Sequence, residues 1–390
     1  MLHPAPNDSA VSQRFREQMP VTGQCAYLDH AAVGPLTGPA AQAMQKYIQQ
    51  VVSTGDLNWP SWFAQVEDTR QSAAELIGAT TDEIALVHST TEGITYVSEG
   101  LDWKAGDNVV IPAGEFPANV YPWMNLADKG VELRQVEMPA GNFDYQKLED
   151  ACDQRTRLVS VSWVGFANGY RLDPTIVADL AHRQGAYFLL DAIQGLGVFP
   201  LDVRQSNIDF LSADGHKWML GPEGAGLAYI RQELLSELRP NIVGWNSVVD
   251  RYNFQKIDMN LRPVAARYEA GSQNMVGQIG LGASLRVFLD LKINEGEIAQ
   301  QVVGRTLYLK QCLQDRGMEV LEIPTENQTG ILLFNVPGIP PEIVRERLVQ
   351  QNVICSCRGG KVRVAIHGYN QTEDFDRLLE TLSELMDQEH

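Results

Sequence analysis

Short apolar runs alternate with longer amphipathic segments over the first two-thirds of the chain. Ile84-Ala-Leu-Val-His88, Asn108-Val-Val-Ile-Pro112, Leu158-Val-Ser-Val-Ser-Trp163, Tyr187-Phe-Leu-Leu-Asp191 and Leu227-Ala-Tyr-Ile230 have the length and composition of buried strands. Segments 68–77, 121–129 and 174–183 between them read as helices. This alternation predicts βαβ units, and so an α/β fold with a mostly parallel sheet flanked by helices. Ligands of such sheets sit beyond the carboxyl ends of the strands. His88-Ser-Thr-Thr-Glu92, Glu115-Phe116 and Asp191 all fall at such ends.

After about residue 280 the pattern changes. A long amphipathic helix is predicted over 298–316, strands over 331–335 and 361–366, and helices over 341–351 and 372–386. The expected division is a large unit, 22–282, and a smaller α+β unit made of 1–21 and 283–390. The glycine groups Gly221-Pro-Glu-Gly224-Ala-Gly226 and Gly280-Leu-Gly282 predict turns. Neither fits a dinucleotide fingerprint and no GxxxxGK[ST] occurs, so hydride transfer and nucleoside-triphosphate chemistry are unsupported.

Composition narrows the picture. The 390 residues carry a net charge of -18, which argues against partnership with nucleic acid or an anionic membrane surface. No apolar run approaches the ~20 residues of a membrane span. Met1-Leu-His-Pro-Ala-Pro-Asn-Asp lacks a basic patch followed by an apolar core, so no signal peptide is expected and the cytoplasm is the expected location. The five cysteines are scattered without metal-site spacing, and no metal site is expected.

Candidate chemistry centres on Lys217, in Ser212-Ala-Asp-Gly-His-Lys-Trp-Met-Leu-Gly221. An apolar run with Ile208, Phe210 and Leu211 precedes this polar turn, and a glycine-rich run follows. Burial lowers a lysine pKa and makes the amine a usable nucleophile. Its natural product with a carbonyl compound is a Schiff base, and pyridoxal phosphate (PLP) is the commonest partner. PLP needs an acidic group at its pyridine nitrogen, and Asp191 is the candidate. Gln194 is placed to bond the ring oxygen. Thr90 and Thr91, at a strand-to-helix junction, suit the phosphate. Phe116 can stack on a flat heterocycle. Arg358 and Arg363 have the donor geometry for an amino-acid carboxylate.

With these residues the chain resembles the class V aminotransferase family of fold-type I PLP enzymes, which includes cysteine desulfurases, kynureninases and isopenicillin-N-epimerase-like proteins. The resemblance runs from Tyr27-Leu-Asp29-His-Ala-Ala32 to Tyr369-Asn-Gln-Thr-Glu-Asp374. Ser89-Thr-Thr-Glu-Gly93, Asp191-Ala-Ile-Gln194, Gly215-His-Lys-Trp218, Arg267-Tyr-Glu-Ala-Gly-Ser272 and Arg363 before His367-Gly-Tyr-Asn370 recur in the family's order. It implies that Lys217 carries the cofactor, that His216 joins Thr90 and Thr91 at the phosphate, and that Ser272 reaches the phosphate of a neighbouring subunit. The expected assembly is therefore a homodimer with shared sites. Arg363 is implied as the substrate's carboxylate anchor.

Three departures modify these implications. Desulfurases carry a mobile loop with a nucleophilic cysteine before the final arginine; Cys355-Ser-Cys-Arg-Gly-Gly-Lys-Val-Arg363 is too short for it, which speaks against persulfide chemistry. Val164-Gly-Phe-Ala-Asn168 replaces a segment that usually supplies an asparagine near the ring hydroxyl, leaving that contact to Gln194 or Asn168. Asp214 replaces a phosphate-binding serine and would repel a phosphate unless protonated or bridged by His216. The expected function is a PLP-dependent transferase or lyase acting on a small amino acid. Epimerase-like, desulfurase-like and non-catalytic PLP-binding readings are the alternatives, with a PLP-free Schiff-base lyase behind them.

Overall fold

The computed structural model describes residues 8–139 and 142–389. Strand β1 (Ala26–Tyr27) is short and lies apart from the main sheet. Seven strands build that sheet: β2 (Ile84–Val87), β3 (Asn108–Pro112), β4 (Glu132–Val136), β5 (Thr156–Ser162), β6 (Tyr187–Asp191), β7 (Phe210–Asp214) and β8 (Gly226–Ile230). Their order is β2-β8-β7-β6-β5-β3-β4. The ladders from β4 through β3, β5 and β6 to β7 are parallel, and β8 runs antiparallel between β7 and β2. Strands β2, β3, β7 and β8 are buried at every position, as continuous apolar runs covered on both faces must be. The α/β class expected from the alternation is the one observed.

A second sheet holds β9 (Glu319–Val320), β10 (Ile331–Asn335), β12 (Ser356–Arg358) and β13 (Lys361–Ala365), antiparallel in the order β12-β13-β10-β9. Strand β11 (Val353–Ile354) pairs in parallel with β1 instead. This sheet and the helices Pro341–Gln350 and Thr372–Glu389 share a core that includes Phe334, Leu348, Val362 and Phe375. Ala26 and Leu28 pack in the same core, a few residues past the boundary expected at residue 22. The helix Ala10–Glu17 also joins this side, through an Arg16–Asp374 ion pair at 2.9 Å and Phe15 packed edge-on against Phe288, His367 and Tyr369. Met1–Asn7, where the absence of a signal peptide was read, lies outside the described residues. Among the described residues no helix is long and apolar enough to cross a membrane.

One expectation needs correction. Gly280 and Gly282 lie inside the helix Met275–Asp290, not in turns. That helix packs on Gly38–Thr54 and Trp59–Ile77. A Cβ at Gly280 would meet the Met44 sulfur at 2.7 Å, and one at Gly282 would meet the Thr69 hydroxyl at 2.1 Å. The glycines permit close helix packing, and local propensity gave the wrong answer because tertiary contact decided.

A buried ion pair ties these helices to the sheet. Arg70 pairs with Glu269, and Arg70 Nη1 also donates to the Ile84 carbonyl at 2.9 Å. Glu269 Oε1 accepts the Leu86 N–H at 2.8 Å. The Arg267-to-Ser272 segment is thereby pinned to the edge strand beside the site.

Candidate active site

The carboxyl ends of β2, β3, β5, β6 and β7 converge, and residues just beyond them surround a cavity of about 410 Å³. Its wall includes Thr90, Thr91, Phe116, Asp191, Gln194, His216, Lys217, Arg358 and Arg363. Nine of the eleven sequence-derived site residues therefore meet in one place. A larger cleft of about 680 Å³, lined in part by Trp163, Arg171, Asp202 and Asn294, lies elsewhere and holds none of them. We assign the site by its converging chemistry rather than by volume.

Strand β7 ends at Asp214, and the chain turns so that Lys217 enters the cavity at 8% exposure. Burial pushes its amine down to about 8, against the opposing pull of Asp191 and with help from the charge of Arg363. Lys217 Nζ lies 5.3 Å from the centre of the Phe116 ring. Asp191, at the end of β6, is 2% exposed. Burial raises its carboxyl to about 6, offset by the Ile193 N–H that donates to Oδ1 at 3.1 Å and by the charge of Lys217. An acid and an amine shifted toward each other in one cavity are typical of a functional site.

Gln194 is oriented by the fold. Its Oε1 accepts the Trp218 Nε1–H at 2.7 Å, and its Nε2 donates to the Ala31 carbonyl at 3.0 Å. One Nε2 hydrogen is left for a ligand. Trp218 in turn rests on a buried imidazole layer. His367 Nε2 lies 2.8 Å from the Trp218 carbonyl, and His30 bridges the Ala365 carbonyl at 2.7 Å and the Tyr369 hydroxyl at 2.6 Å. Burial lowers both imidazoles, His30 to about 4, so they act as neutral polar struts. The role of the His367-Gly-Tyr-Asn370 motif is therefore to connect the second sheet to the ring side of the site.

The helix Thr90–Gly100 begins at the cavity, with Ser89 as its cap: Ser89 Oγ accepts the Glu92 N–H at 3.1 Å. Gly93 lets this helix approach β7, since a Cβ there would lie 2.3 Å from Ser212 Oγ. Thr90 Oγ1 accepts the Asp214 N–H at 2.9 Å, which leaves its own hydrogen to donate, and Thr91 is exposed. His216 Nδ1 lies 3.0 Å from Asp214 Oδ2. That contact is close but misaligned: His216 Nδ1 and Asp214 Oδ1 both remain buried without a hydrogen bond. The orphaned imidazole nitrogen of His216, beside a helix N-terminus, fits a phosphate, whereas Asp214 Oδ1 can only accept and would need His216 between it and that phosphate.

Arg363, on β13, is 1% exposed and fixed on three sides. Nε donates to Ser356 Oγ at 3.2 Å, Nη1 to the Phe166 carbonyl at 3.0 Å and Nη2 to Asp29 Oδ1 at 3.3 Å. One N–H on each terminal nitrogen remains for a ligand carboxylate. Neither Asp29 nor Ser356 was identified as a site residue from sequence. They lie 327 positions apart, yet Ser356 Oγ donates to Asp29 Oδ1 at 2.7 Å; no local pattern signals such a pair.

Two expected residues are not brought to this cavity. Asn168 Oδ1 accepts the Tyr170 N–H at 3.1 Å and closes its own turn, so Asn168 lines a neighbouring small cavity instead. Ser272 is exposed and does not line this chain's cavity. Phe166, from the Val164-to-Asn168 segment that departs from the family pattern, lines the cavity, edge-on to Phe116 with ring centres 5.2 Å apart. Taken together, an amine, a carboxyl, an aromatic face, an amide donor and a helix N-terminus match the aldehyde, pyridine nitrogen, ring, ring oxygen and phosphate of PLP.

Comparison with known proteins agrees with this geometry. The family described as Aminotransferase class-V matches residues 26–378. A probable cysteine desulfurase of Methanothermobacter thermautotrophicus is 33% identical over 96% of this chain and 98% of its own length. The apo structure of a cysteine desulfurase from Thermococcus onnurineus NA1 is 27% identical, with 99% of each chain covered and a TM-score of 0.85. A C-DES mutant with glycine covalently linked to its PLP cofactor superposes with a TM-score of 0.88 over 95% of this chain and 99% of its own. At 23% identity it attests the fold alone.

Proposed function

The chain belongs to the class-V aminotransferase family, and from that premise we propose that it is a transferase or lyase that opens its reaction at the Cα of a small amino acid. It is a PLP-dependent enzyme acting on an amino acid. The observation that carries the proposal is the buried Lys217 amine in one cavity with Asp191 and Arg363.

Bound PLP supplies an electron sink conjugated with the amino-acid nitrogen. The chain's own groups do the rest. Asp191 holds the proton on the pyridine nitrogen by charge. Gln194 Nε2 donates to the ring oxygen. Phe116 covers one ring face, and Thr90, Thr91 and His216 take the phosphate. Arg363 binds the α-carboxylate end-on and so orients Cα. Lys217 Nζ would hold the cofactor covalently and, as a free amine, would take the Cα proton.

The depressed pKa of Lys217 makes a testable statement. The neutral amine is the reactive form, and roughly one molecule in ten carries it at pH 7 if the pKa is about 8. The initial rate at which apo-protein takes up PLP covalently should rise about tenfold per pH unit below about 8 and then level off. Stopped-flow absorbance against pH measures this; a rise continuing to pH 10 would mean an unperturbed lysine.

A desulfurase-like second reading is favoured by the names of the relatives. It requires a reactive thiol at the site. Strand alternation turns Ser356 and Arg358 to one face of β12 and Cys357 to the other, where its Sγ donates to the Pro341 carbonyl at 3.3 Å. Cys355 is 1% exposed, packed in the core of the second sheet, and burial pushes its thiol up to about 12. Neither supports an enzyme-bound persulfide. The functional assembly we propose is a cytoplasmic homodimer in which Ser272 completes the partner's phosphate site; its support is the exposure of Ser272 away from its own cavity.

The deciding experiment is chiral, mass-resolved product analysis of incubations with pooled amino acids and keto acids. Transamination gives a new amino acid from each keto acid, elimination gives a keto acid, ammonia and the released side-chain group, and epimerisation gives only the mirror image. Alanine from cysteine, with the sulfur left as a persulfide on one of the chain's thiols, would favour the desulfurase reading instead.

A further inference from the structure

Resting on the amino-acid reading above, we infer that Arg358 makes this site select an amino acid with an acidic side chain, Arg363 taking the α-carboxylate and Arg358 the second carboxylate. The register of the hairpin carries the inference. Strands β12 and β13 pair antiparallel, with Ser356 opposite Arg363 and Arg358 opposite Lys361. Arg358 is two residues beyond Ser356 and so shares its face of the sheet. Arg358 and Arg363 are therefore diagonal neighbours on one face, a relation that sets Cα atoms ~7–8 Å apart. Two long guanidinium arms at that spacing converge on a short ligand, and the two carboxylates of a small dicarboxylic amino acid fall within their reach.

Both arginines line the same cavity as Lys217. The charge of Arg358 reaches Lys217, Asp29 and Arg363, and its side chain lines the cavity from an exposed position. The two arginines differ in what holds them. Three N–H groups of Arg363 are bonded within the chain, whereas Arg358 has no ion-pair partner among the described residues. Among the other described residues lining the cavity, Ala31, Ala32, Val33 and Phe166 are apolar, and the carboxylates are those of Asp191 and Asp214, neither of which pairs with Arg358. In a chain of net charge -18, an unpaired cation facing a cavity is a local anion seat, and it also steers anions inward.

The test uses the PLP-loaded protein and follows the absorption of bound PLP during titration with L-aspartate, L-glutamate, L-asparagine, L-glutamine and L-norvaline. An acid is expected to perturb the spectrum at a concentration about 10- to 100-fold below its own amide, the range of a charged hydrogen bond. Arg358→Ala should bring that acid-to-amide ratio close to one, and Arg358→Lys should recover part of it. Raising the salt concentration should weaken the acids more than the amides. Equal response to acid and amide, a preference for amide or norvaline, or a ratio that Arg358→Ala leaves unchanged overturns the inference while the PLP reading stands. A protein that takes up no PLP, or one whose bound PLP responds to no amino acid, overturns the underlying reading and the inference with it.

Discussion

Lys217→Ala protein should bind PLP without a borohydride-reducible link and turn substrate over on the order of 10⁴-fold more slowly than the parent. Two roles are lost in one substitution, the covalent seat and the base for the Cα proton, and the cavity offers no replacement amine. Lys217 is the cavity's only lysine among the described residues, and its other basic side chains are arginines, which stay protonated, and the imidazole of His216. Removing Lys217 Nζ also relieves the burial of a group whose charged form is disfavoured, so the apo-variant should melt no lower than the parent. Visible absorbance, borohydride trapping and mass spectrometry measure the link, and coupled turnover measures the rate. A link that persists in the variant would move the chemistry to a different lysine.

Asp191→Asn should have the next largest effect. Asparagine has the same shape and can still accept the Ile193 N–H, so the strand end keeps its geometry. What goes is the negative charge that keeps the pyridine nitrogen protonated. Loss of one preorganised electrostatic partner typically costs 10²- to 10³-fold in kcat, and we expect a drop of about that size. PLP affinity should weaken about tenfold or more.

Burial holds the Asp191 carboxyl at about 6, above its ordinary value, so at neutral pH the folded chain carries an ionised carboxylate that burial disfavours. A carboxyl raised in this way costs stability as pH climbs above its unfolded value, with the full cost reached above about 6. The amide removes that cost, so the apo-variant should be as stable as the parent or slightly more so at pH 7, while catalysis falls. Parallel thermal melts and steady-state kinetics would show this split. A variant that retains parental kcat would remove Asp191 from the mechanism, and one that loses kcat only together with its fold would make it structural.

The two effects separate what the site needs. In the proposed mechanism Lys217 supplies reactivity and Asp191 keeps the ring cationic, while the remaining residues govern position. Trp218 and the neutral pair His30 and His367 belong to the last group: they fix Gln194, which lines the cavity, from a layer behind the cavity wall. Asp29 and Ser356 do the same for Arg363.

The amino-acid sequence by itself determined the layered α/β architecture and most of the cavity wall. Continuous apolar runs such as Tyr187–Asp191 can only be strands covered on both faces, and polar residues at their carboxyl ends can only crowd one edge of a parallel sheet. Lys217 and Asp191 were therefore legible from local pattern and chemistry, whereas Thr90 and Phe116 took their expected roles from the family resemblance. Tertiary structure alone decided the rest, because those features depend on contacts between distant segments. It set Gly280 and Gly282 inside a helix through Met44 and Thr69, turned Asn168 back into its own loop, and clamped Arg363 between Asp29 and Ser356. It also laid Arg358 diagonally beside Arg363, since hairpin register fixes which side chains share a face, and register emerges only when the strands pair.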